Sequence, residues 1–135
     1  MTEPRIFTAS VWEGTDNCNV GRIVLHNRNP MVRSDFSTWE LQVYDLDDLA
    51  EVYSLTAQPN TNTATFYFHD TLQENGYWGI DDKGYNFLHH VTDAAVGPGV
   101  LKGGRTYAFE YGFNTTLFGR IPVTFHWRVE PTVSQ

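Results

Sequence analysis

The strongest constraint on the fold is a pair of alternating stretches near the C-terminus. From Thr106 to Phe113 aromatic residues occupy every second position, and from Ile121 to Val129 apolar residues do the same. Successive side chains of a strand point to opposite faces, so this alternation is typical of a strand with one buried face. The segment between them, Asn114–Gly119, contains turn-forming residues. The two stretches therefore predict an antiparallel hairpin.

Similar alternation recurs earlier in the chain. It predicts further strands at Arg5–Glu13, Val20–His26, Phe36–Tyr44, Val52–Thr56 and Ala64–His69. The turn-rich residues 13–19 favour a hairpin between the first two strands. The near-helical spacing of Leu46, Leu49 and Tyr53, with acids early in the segment, predicts one short helical turn before the strand at 52–56.

Glycines interrupt the pattern between residues 75 and 105. A brief strand is predicted at Tyr77–Ile80 within a structured loop, and Tyr85–Thr92 fits either a strand or one helical turn. Asp93–Arg105 holds four glycines and a proline, and it is predicted to be a loop.

Seven or eight short strands and at most one short helix predict an all-β protein. The expected architecture is an antiparallel β-sandwich of jelly-roll or immunoglobulin-like topology. A small closed β-barrel is the alternative, because alternation alone does not distinguish the two. The Cys…Trp…Cys spacing of true immunoglobulin domains is absent, since Cys18 is the only cysteine. The length of 135 residues predicts one domain spanning residues 1–135.

Charge and hydropathy exclude several kinds of partner. The formal net charge is -7, with 9 Lys and Arg against 16 Asp and Glu. Affinity for nucleic acid depends on basic residues that neutralise phosphates, so nucleic acid is not expected as a partner. No apolar run approaches the roughly 18 residues of a spanning helix, so membrane insertion is not expected. The N-terminus lacks a signal-peptide pattern, which predicts a cytoplasmic protein or release by a non-classical route.

Motifs of catalysis are scarce in this chain. The sequence contains no GxSxG elbow, no P-loop and no GxGxxG. Glu110 lies on the polar face of an aromatic strand, where a catalytic acid could lie. The adjacent His89 and His90 point to opposite faces if they lie in a strand, so they cannot share a metal. An enzyme with an unrecognised site is therefore the third of three functional hypotheses.

Calcium is the one cofactor that the acids leave open. An EF-hand is excluded after Asp45, because Ala50 and Thr56 occupy the positions that require Gly and Glu. A sandwich-type calcium site would instead combine Asp81 and Asp82 with a distant acid such as Asp47.

The richest group of potential ligand contacts lies at Asn75–His90, NGYWGIDDKGYNFLHH. The candidate ligand-binding residues are Tyr77, Trp78, Asp81, Asp82, Tyr85 and Asn86. Aromatic rings offer a flat apolar platform to the C–H face of a sugar, and carboxylates and amides bond its hydroxyls. The first hypothesis is therefore a non-catalytic, lectin-like carbohydrate-binding module. The same residue types also suit a protein partner.

The second hypothesis is a structural or assembly protein without a small-molecule ligand. It would be a subunit of a virion, an appendage or a homo-oligomer. In that case the long loops Asn27–Asp35 and Asp93–Arg105 would reach to neighbouring subunits, because loops carry most contacts that a rigid scaffold presents.

Overall fold

The computed structural model describes residues 6–25, 27–76, 78 and 83–131. Its strands are β1 (Ile6–Trp12), β2 (Asn17–Gly21), β3 (Phe36–Asp45), β4 (Ala50–Pro59), β5 (Phe66–Gln73), β6 (Tyr85–Val91), β7 (Thr106–Thr115) and β8 (Gly119–Glu130). A 3-10 turn spans Arg33–Asp35, and one helical turn, α1, spans Asp93–Val96. Within the described residues, no helix has the length and apolarity needed to cross a bilayer.

The strands form two sheets that pack face to face. One sheet has five strands in the order β1-β8-β7-β3-β4, and the other has three in the order β2-β6-β5. All neighbours are antiparallel except β1 and β8, which are parallel. The all-β sandwich is therefore confirmed. The barrel alternative is wrong, because the two sheets of the described chain do not close on each other.

The strand order is the immunoglobulin-like one of the two predicted topologies. In that fold strands B, E and D form one sheet, and strands C, F and G belong to the other. Here β2, β6 and β5 take the places of B, E and D, while β3, β7 and β8 take those of C, F and G. The chain segments after β2, β5 and β7 consequently lie at one end of the sandwich, which we call the loop end.

The predicted hairpin at the C-terminus is confirmed, whereas the one at the N-terminus is wrong. β7 and β8 pair in register from Thr106↔Arg128 to Thr115↔Gly119. In contrast, β1 pairs with β8 and β2 pairs with β6, so the turn after β1 carries the chain from one sheet to the other. Local alternation marks both strands but does not say which partner each one takes.

Two other local predictions are also resolved. The helical turn predicted before residue 52 is wrong, because residues 46–49 form a turn that closes a β3–β4 hairpin. There Tyr53 and Leu55 pair with Val43 and Leu41 and pack against the core, so tertiary contact overrides the helical spacing. The helical turn that does form, α1, lies in the segment predicted to be a loop.

The segment Tyr85–Thr92 is a strand, since β6 covers Tyr85–Val91. Of the brief strand predicted at Tyr77–Ile80, only Trp78 belongs to the described residues, and it is not in a strand.

The core between the sheets is largely aromatic. Near the loop end, neighbouring ring centroids in one cluster lie 5.0–6.1 Å apart, mostly at steep angles. The cluster consists of Phe36, Phe68, Phe87 and Phe113. Deeper in the sandwich, Trp39 stacks on Phe66 with 4.4 Å between centroids. Tilted and offset rings of this kind bury large apolar areas and hold the two sheets together.

Gly84 joins the loop after β5 to the start of β6. Its φ is +99°, and a Cβ atom there would lie 2.4 Å from the carbonyl oxygen of Gln73. We expect Gly84→Ala to lower the free energy of unfolding by ~2 kcal/mol or more, because positive φ alone costs an L-residue roughly 1–2 kcal/mol and the clash adds to it. Urea denaturation measures the loss. Gly14→Ala is the control, since Gly14 has φ +77° and open space around it; an equal loss at both positions would refute the steric argument.

Candidate functional site

One hydrogen bond and one shared hollow connect the segments that lie at the loop end. The guanidinium of Arg22, just after β2, donates to the carbonyl oxygen of Gly84 at 3.2 Å. Leu25 in the same segment and Phe118 in the β7–β8 turn line one shared hollow. In immunoglobulin variable domains the corresponding end carries the binding loops. The fold therefore brings the described candidates Trp78, Tyr85 and Asn86 near two other loops.

Trp78 is the predicted site residue that remains at the surface among those described. It is half-buried, and its ring centroid lies 6.0 Å from that of Tyr85. The guanidinium carbon of Arg22 lies 5.8 Å from the Trp78 ring, within the range of a cation–π contact. Trp78 is thus anchored to the end of the sandwich and stays partly exposed.

Tyr85 lies beneath Trp78 and is only 2% exposed. Its hydroxyl accepts a hydrogen bond from the side-chain amide of Asn75 at 2.8 Å. This bond ties the loop after β5 to the start of β6. Tyr85 therefore supports the loop and braces the indole from below, and a direct contact between Tyr85 and a ligand stays a prediction.

Asn86 fixes the segment after β2. It is 1% exposed, and its side-chain amide accepts from the backbone N–H of Ile23 at 2.8 Å. The same amide donates to the carbonyl oxygens of Ile23 and Met31 at 2.8 and 2.9 Å. These bonds hold the segment over the outer face of β6, so Asn86 shapes the loop end, and its predicted bond to a ligand is untested.

The other three predicted contacts, Tyr77, Asp81 and Asp82, lie outside the described residues. Calcium binding by the two acids therefore stays a prediction. Asp47, the distant acid considered with them, lies in the β3–β4 turn, at the opposite end of the sandwich from Lys83. Within the described residues, no three His, Cys, Asp or Glu side chains come together in a way that could hold a metal.

The acids around the β3–β4 turn have a structural role. Asp45 and Asp48 each accept a hydrogen bond of 2.6 Å from the Arg105 guanidinium. Asp47 accepts from the backbone N–H of Thr106 at 3.3 Å. Glu110, the candidate catalytic acid, accepts from the Arg120 guanidinium at 3.0 Å on the solvent side of β7.

A hollow of about 170 Å³ opens at the loop end between the segment after β2 and the β7–β8 turn. Its lining includes Leu25, Asp35, Thr115, Leu117 and Phe118. Leu117 is 82% exposed at the tip of the turn. The sequence does not predict this hollow, because its two walls are about 90 residues apart in the chain and meet only through the sheet pairing.

The two adjacent histidines point to opposite faces of β6, as predicted. His89 is 8% exposed and packs in the core, whereas His90 is half-buried on the outer face. The Nδ1 atom of His90 lies 3.3 Å from the Cys18 sulfur. Burial raises the pKa of the Cys18 thiol, so the thiol stays protonated at neutral pH and is a poor nucleophile.

A chain of hydrogen bonds crosses the core between the sheets. The indole N–H of Trp127 donates to Asn19 Oδ1 at 2.7 Å, and Asn19 Nδ2 donates to the hydroxyl of Tyr111 at 2.9 Å. The Tyr111 hydroxyl lies 2.6 Å from His89 Nδ1. We call this series the buried polar chain. The sequence does not predict it, because its members lie on four strands that are far apart in the chain.

The buried polar chain fixes the tautomer of His89. The indole N–H can only donate, so Asn19 presents its oxygen to Trp127 and its NH₂ to Tyr111. The hydroxyl of Tyr111 accepts that bond, and its own proton is directed to His89 Nδ1. The proton of neutral His89 therefore resides on Nε2.

The surroundings also keep the chain uncharged. Burial, with a smaller contribution from neighbouring His90, lowers the pKa of His89 to about 4. Burial likewise raises the pKa of the Tyr111 hydroxyl far above its ordinary value. Both groups are therefore neutral at pH 7, so the buried polar chain carries no charge inside the sandwich.

Comparison with known proteins adds no relative from which a function could be transferred. No family model, curated protein or solved structure matches this chain.

Proposed function

We propose that the protein is a non-catalytic, lectin-like module that binds carbohydrate at the loop end. The observation that supports this proposal is the half-buried indole of Trp78, which contacts both the ring of Tyr85 and the guanidinium of Arg22. An anchored indole presents apolar area to the C–H face of a sugar and loses little conformational entropy on binding. A sugar placed there would also meet the polar groups of the neighbouring loops.

The way in which the loops are held supports the same function. The side chain of Asn86 makes three hydrogen bonds to the backbone after β2, and Arg22 reaches across to Gly84. Loops fixed in this manner pay less ordering entropy when a ligand binds, which favours recognition of small polar ligands. Immunoglobulin variable domains carry their binding loops at the equivalent end.

The test is a glycan-array screen with and without calcium, followed by titration of any hit. We expect Trp78→Ala to weaken binding by about 30-fold or more, because truncating an aromatic anchor typically costs ~2 kcal/mol of binding free energy. Trp12→Ala is the matched control. Trp12 is 61% exposed at the end of β1, on the opposite side of the molecule from the loop end, so its removal should leave binding unchanged.

Each outcome of the screen has a defined meaning. A blank array with folded wild-type protein would overturn the carbohydrate proposal, and equal binding by wild type and Trp78→Ala would overturn the site. Binding that requires calcium would support Asp81 and Asp82 as its ligands, and chelation should then abolish it.

A second candidate function is assembly through the loop end, as in a homo-oligomer or a larger structure. The observation that favours it is Leu117, 82% exposed beside a hollow lined by Leu25 and Phe118. An exposed apolar side chain beside a surface hollow with apolar residues in its lining is typical of a protein contact. Light scattering of the wild type separates this candidate from a monomeric lectin.

A further inference from the structure

The sandwich is open along the flank of β4. Contacts across the core set β8 over β2, β7 over β6 and β3 over β5. No strand of the described chain faces β4, because the five-stranded sheet is wider than the three-stranded one. Residues 60–65, which connect β4 to β5, run along this flank instead. A hollow of about 120 Å³ remains between them, and we call it the side pocket.

The side pocket has apolar walls and a polar rim. Its walls include Trp39, Leu55 and Phe66, and its rim includes Gln58 and the hydroxyl-bearing Thr63. Among the described lining residues there is no Asp, Glu, Lys or Arg. A charged group would be buried there without a partner, which is costly, so the lining favours an uncharged ligand.

The wall formed by residues 60–65 is held in shape by its own side chains. Thr63 Oγ1 accepts from the backbone N–H of Phe66 at 3.1 Å, and Asn62 Oδ1 accepts from that of Phe68 at 2.8 Å. Asn60 Nδ2 donates to backbone oxygens next to the start of β3 at 3.1 and 2.8 Å. The pocket is therefore preformed, which lowers the ordering cost of binding.

His89 supplies a directed donor in the side pocket. Its Nδ1 accepts from Tyr111, so the proton on Nε2 remains for another partner. Nε2 has no hydrogen bond to any described residue, although the side chain is only 8% exposed and lines the pocket. In the described chain, every side-chain nitrogen or oxygen that is fully buried has a hydrogen-bond partner. Since Nε2 has none, it is not fully buried and must be reachable from the pocket.

We propose that the side pocket binds a small uncharged amide, such as an acetamido group. The carbonyl oxygen would accept from Nε2–H of His89, and the methyl group would pack against Trp39 and Leu55. The size agrees, because a volume of about 120 Å³ exceeds the ~30 Å³ share of one water and is close to the ~150 Å³ cavity that holds benzene. The orphan donor and apolar walls together match an amide better than a hydrocarbon, which would leave Nε2–H unpaired.

This site is separate from Trp78 and does not depend on the proposed function. The acetamide chemistry could come from a free small amide or from an N-acetylated sugar. The two sources are distinguished by comparing N-methylacetamide with N-acetylglucosamine, with glucose as the sugar that lacks the group.

The test is nuclear magnetic resonance of the ¹⁵N-labelled full chain at pH 7, observing the imidazole nitrogens of His89. Before any ligand is added, the spectrum should show the Nε2–H tautomer. N-methylacetamide should then shift Nε2 in a saturable way, with the weak affinity expected of a ligand with few atoms. Acetate, which has a similar shape but carries a charge, should produce no saturable shift.

Two variants locate the binding. Leu55→Trp places a bulky side chain at the pocket mouth and should abolish the shift. Ser54→Trp adds the same side chain at an exposed position on the opposite face of β4 and should retain it. If N-acetylglucosamine binds alone, the natural source is a sugar; if both amides bind, the amide suffices.

Several results would overturn the proposal. The first is His89 that is protonated, or that carries its proton on Nδ1, at pH 7. The second is a ligand pattern that differs from the expected one: no saturable shift with either amide, glucose that binds as tightly as N-acetylglucosamine, or acetate that binds as tightly as N-methylacetamide. The third is an unchanged shift in Leu55→Trp. None of these depends on the outcome of the Trp78 screen.

Discussion

Asn19→Ala is expected to lower the free energy of unfolding by about 3 kcal/mol, because a buried polar group left without a partner costs about 1–3 kcal/mol and the substitution also removes a second buried hydrogen bond, which contributes about 1 kcal/mol. The orphaned group is the indole N–H of Trp127, which lies 2.7 Å from Asn19 Oδ1. The Tyr111 hydroxyl loses the bond of 2.9 Å from Asn19 Nδ2 but keeps its bond to His89. Asn19 itself is 2% exposed, so water cannot readily replace its side chain. Urea denaturation at pH 7.5 measures the loss.

The control for this prediction is Asn114→Ala. Asn114 is half-buried and donates to the Thr38 hydroxyl at 2.9 Å, so its removal breaks one hydrogen bond near solvent. We expect a loss of about 1 kcal/mol there. A cost at Asn19 no greater than at Asn114 would mean that the buried polar chain is not sealed from water.

His89 is expected to make the protein lose stability as the pH falls. Its pKa in the folded state is about 4, against an ordinary value of 6.5. Below pH 6.5 the unfolded chain takes up a proton that the folded chain still excludes, so the stability present above this pH declines as the pH approaches 4. Across that window the loss due to His89 is about 3 kcal/mol, at ~1.4 kcal/mol per pH unit.

The measurement is urea denaturation of wild type and His89→Gln at pH 7, 5.5 and 4.5. The difference between their free energies of unfolding at each pH cancels the contribution of the carboxylates. The wild type should have the steeper pH dependence, although the variant will be less stable at pH 7 because it breaks the bond to Tyr111. His126→Gln, on the half-buried polar face of β8, is the control for replacing a histidine outside the buried polar chain. If His89→Gln had the same slope as the wild type, His89 would not be the group that titrates.

The positions of strands could be predicted where apolar and polar residues alternate, because that pattern indicates which face of the strand is buried. The β7–β8 hairpin has one covered face and a short turn, so both its strands and its pairing follow from the sequence. The pairing of β1 with β8 joins residues near the two ends of the chain, and nothing in Ile6–Trp12 distinguishes β8 from β2 as a partner. For α1 a local signal exists, since Thr92 caps it by accepting from Ala95 N at 3.0 Å.

The candidate site was predictable in place but not in detail. Local composition identifies the segment 75–90 because the segment is rich in polar and aromatic side chains. Composition does not say which of those side chains point to solvent and which point inward. The structure buries Asn86 because its amide bonds Ile23 and Met31 of the segment after β2, which covers the outer face of β6, and it buries Tyr85 beneath Trp78. A strand covered on both faces loses the alternation that would have marked those two side chains as buried.

The position of the buried polar chain has a consequence for the redox behaviour of the fold. Immunoglobulin domains link strands B and F by a disulfide that packs on a tryptophan of strand C. Here the equivalent strands β2 and β7 are joined by Asn19 and Tyr111, and the Tyr111 ring lies 6.1 Å from that of Trp39 on β3. Hydrogen bonds form and break with folding itself, so this sandwich can assemble and refold without an oxidant, and thiol reductants should leave the link between its sheets intact.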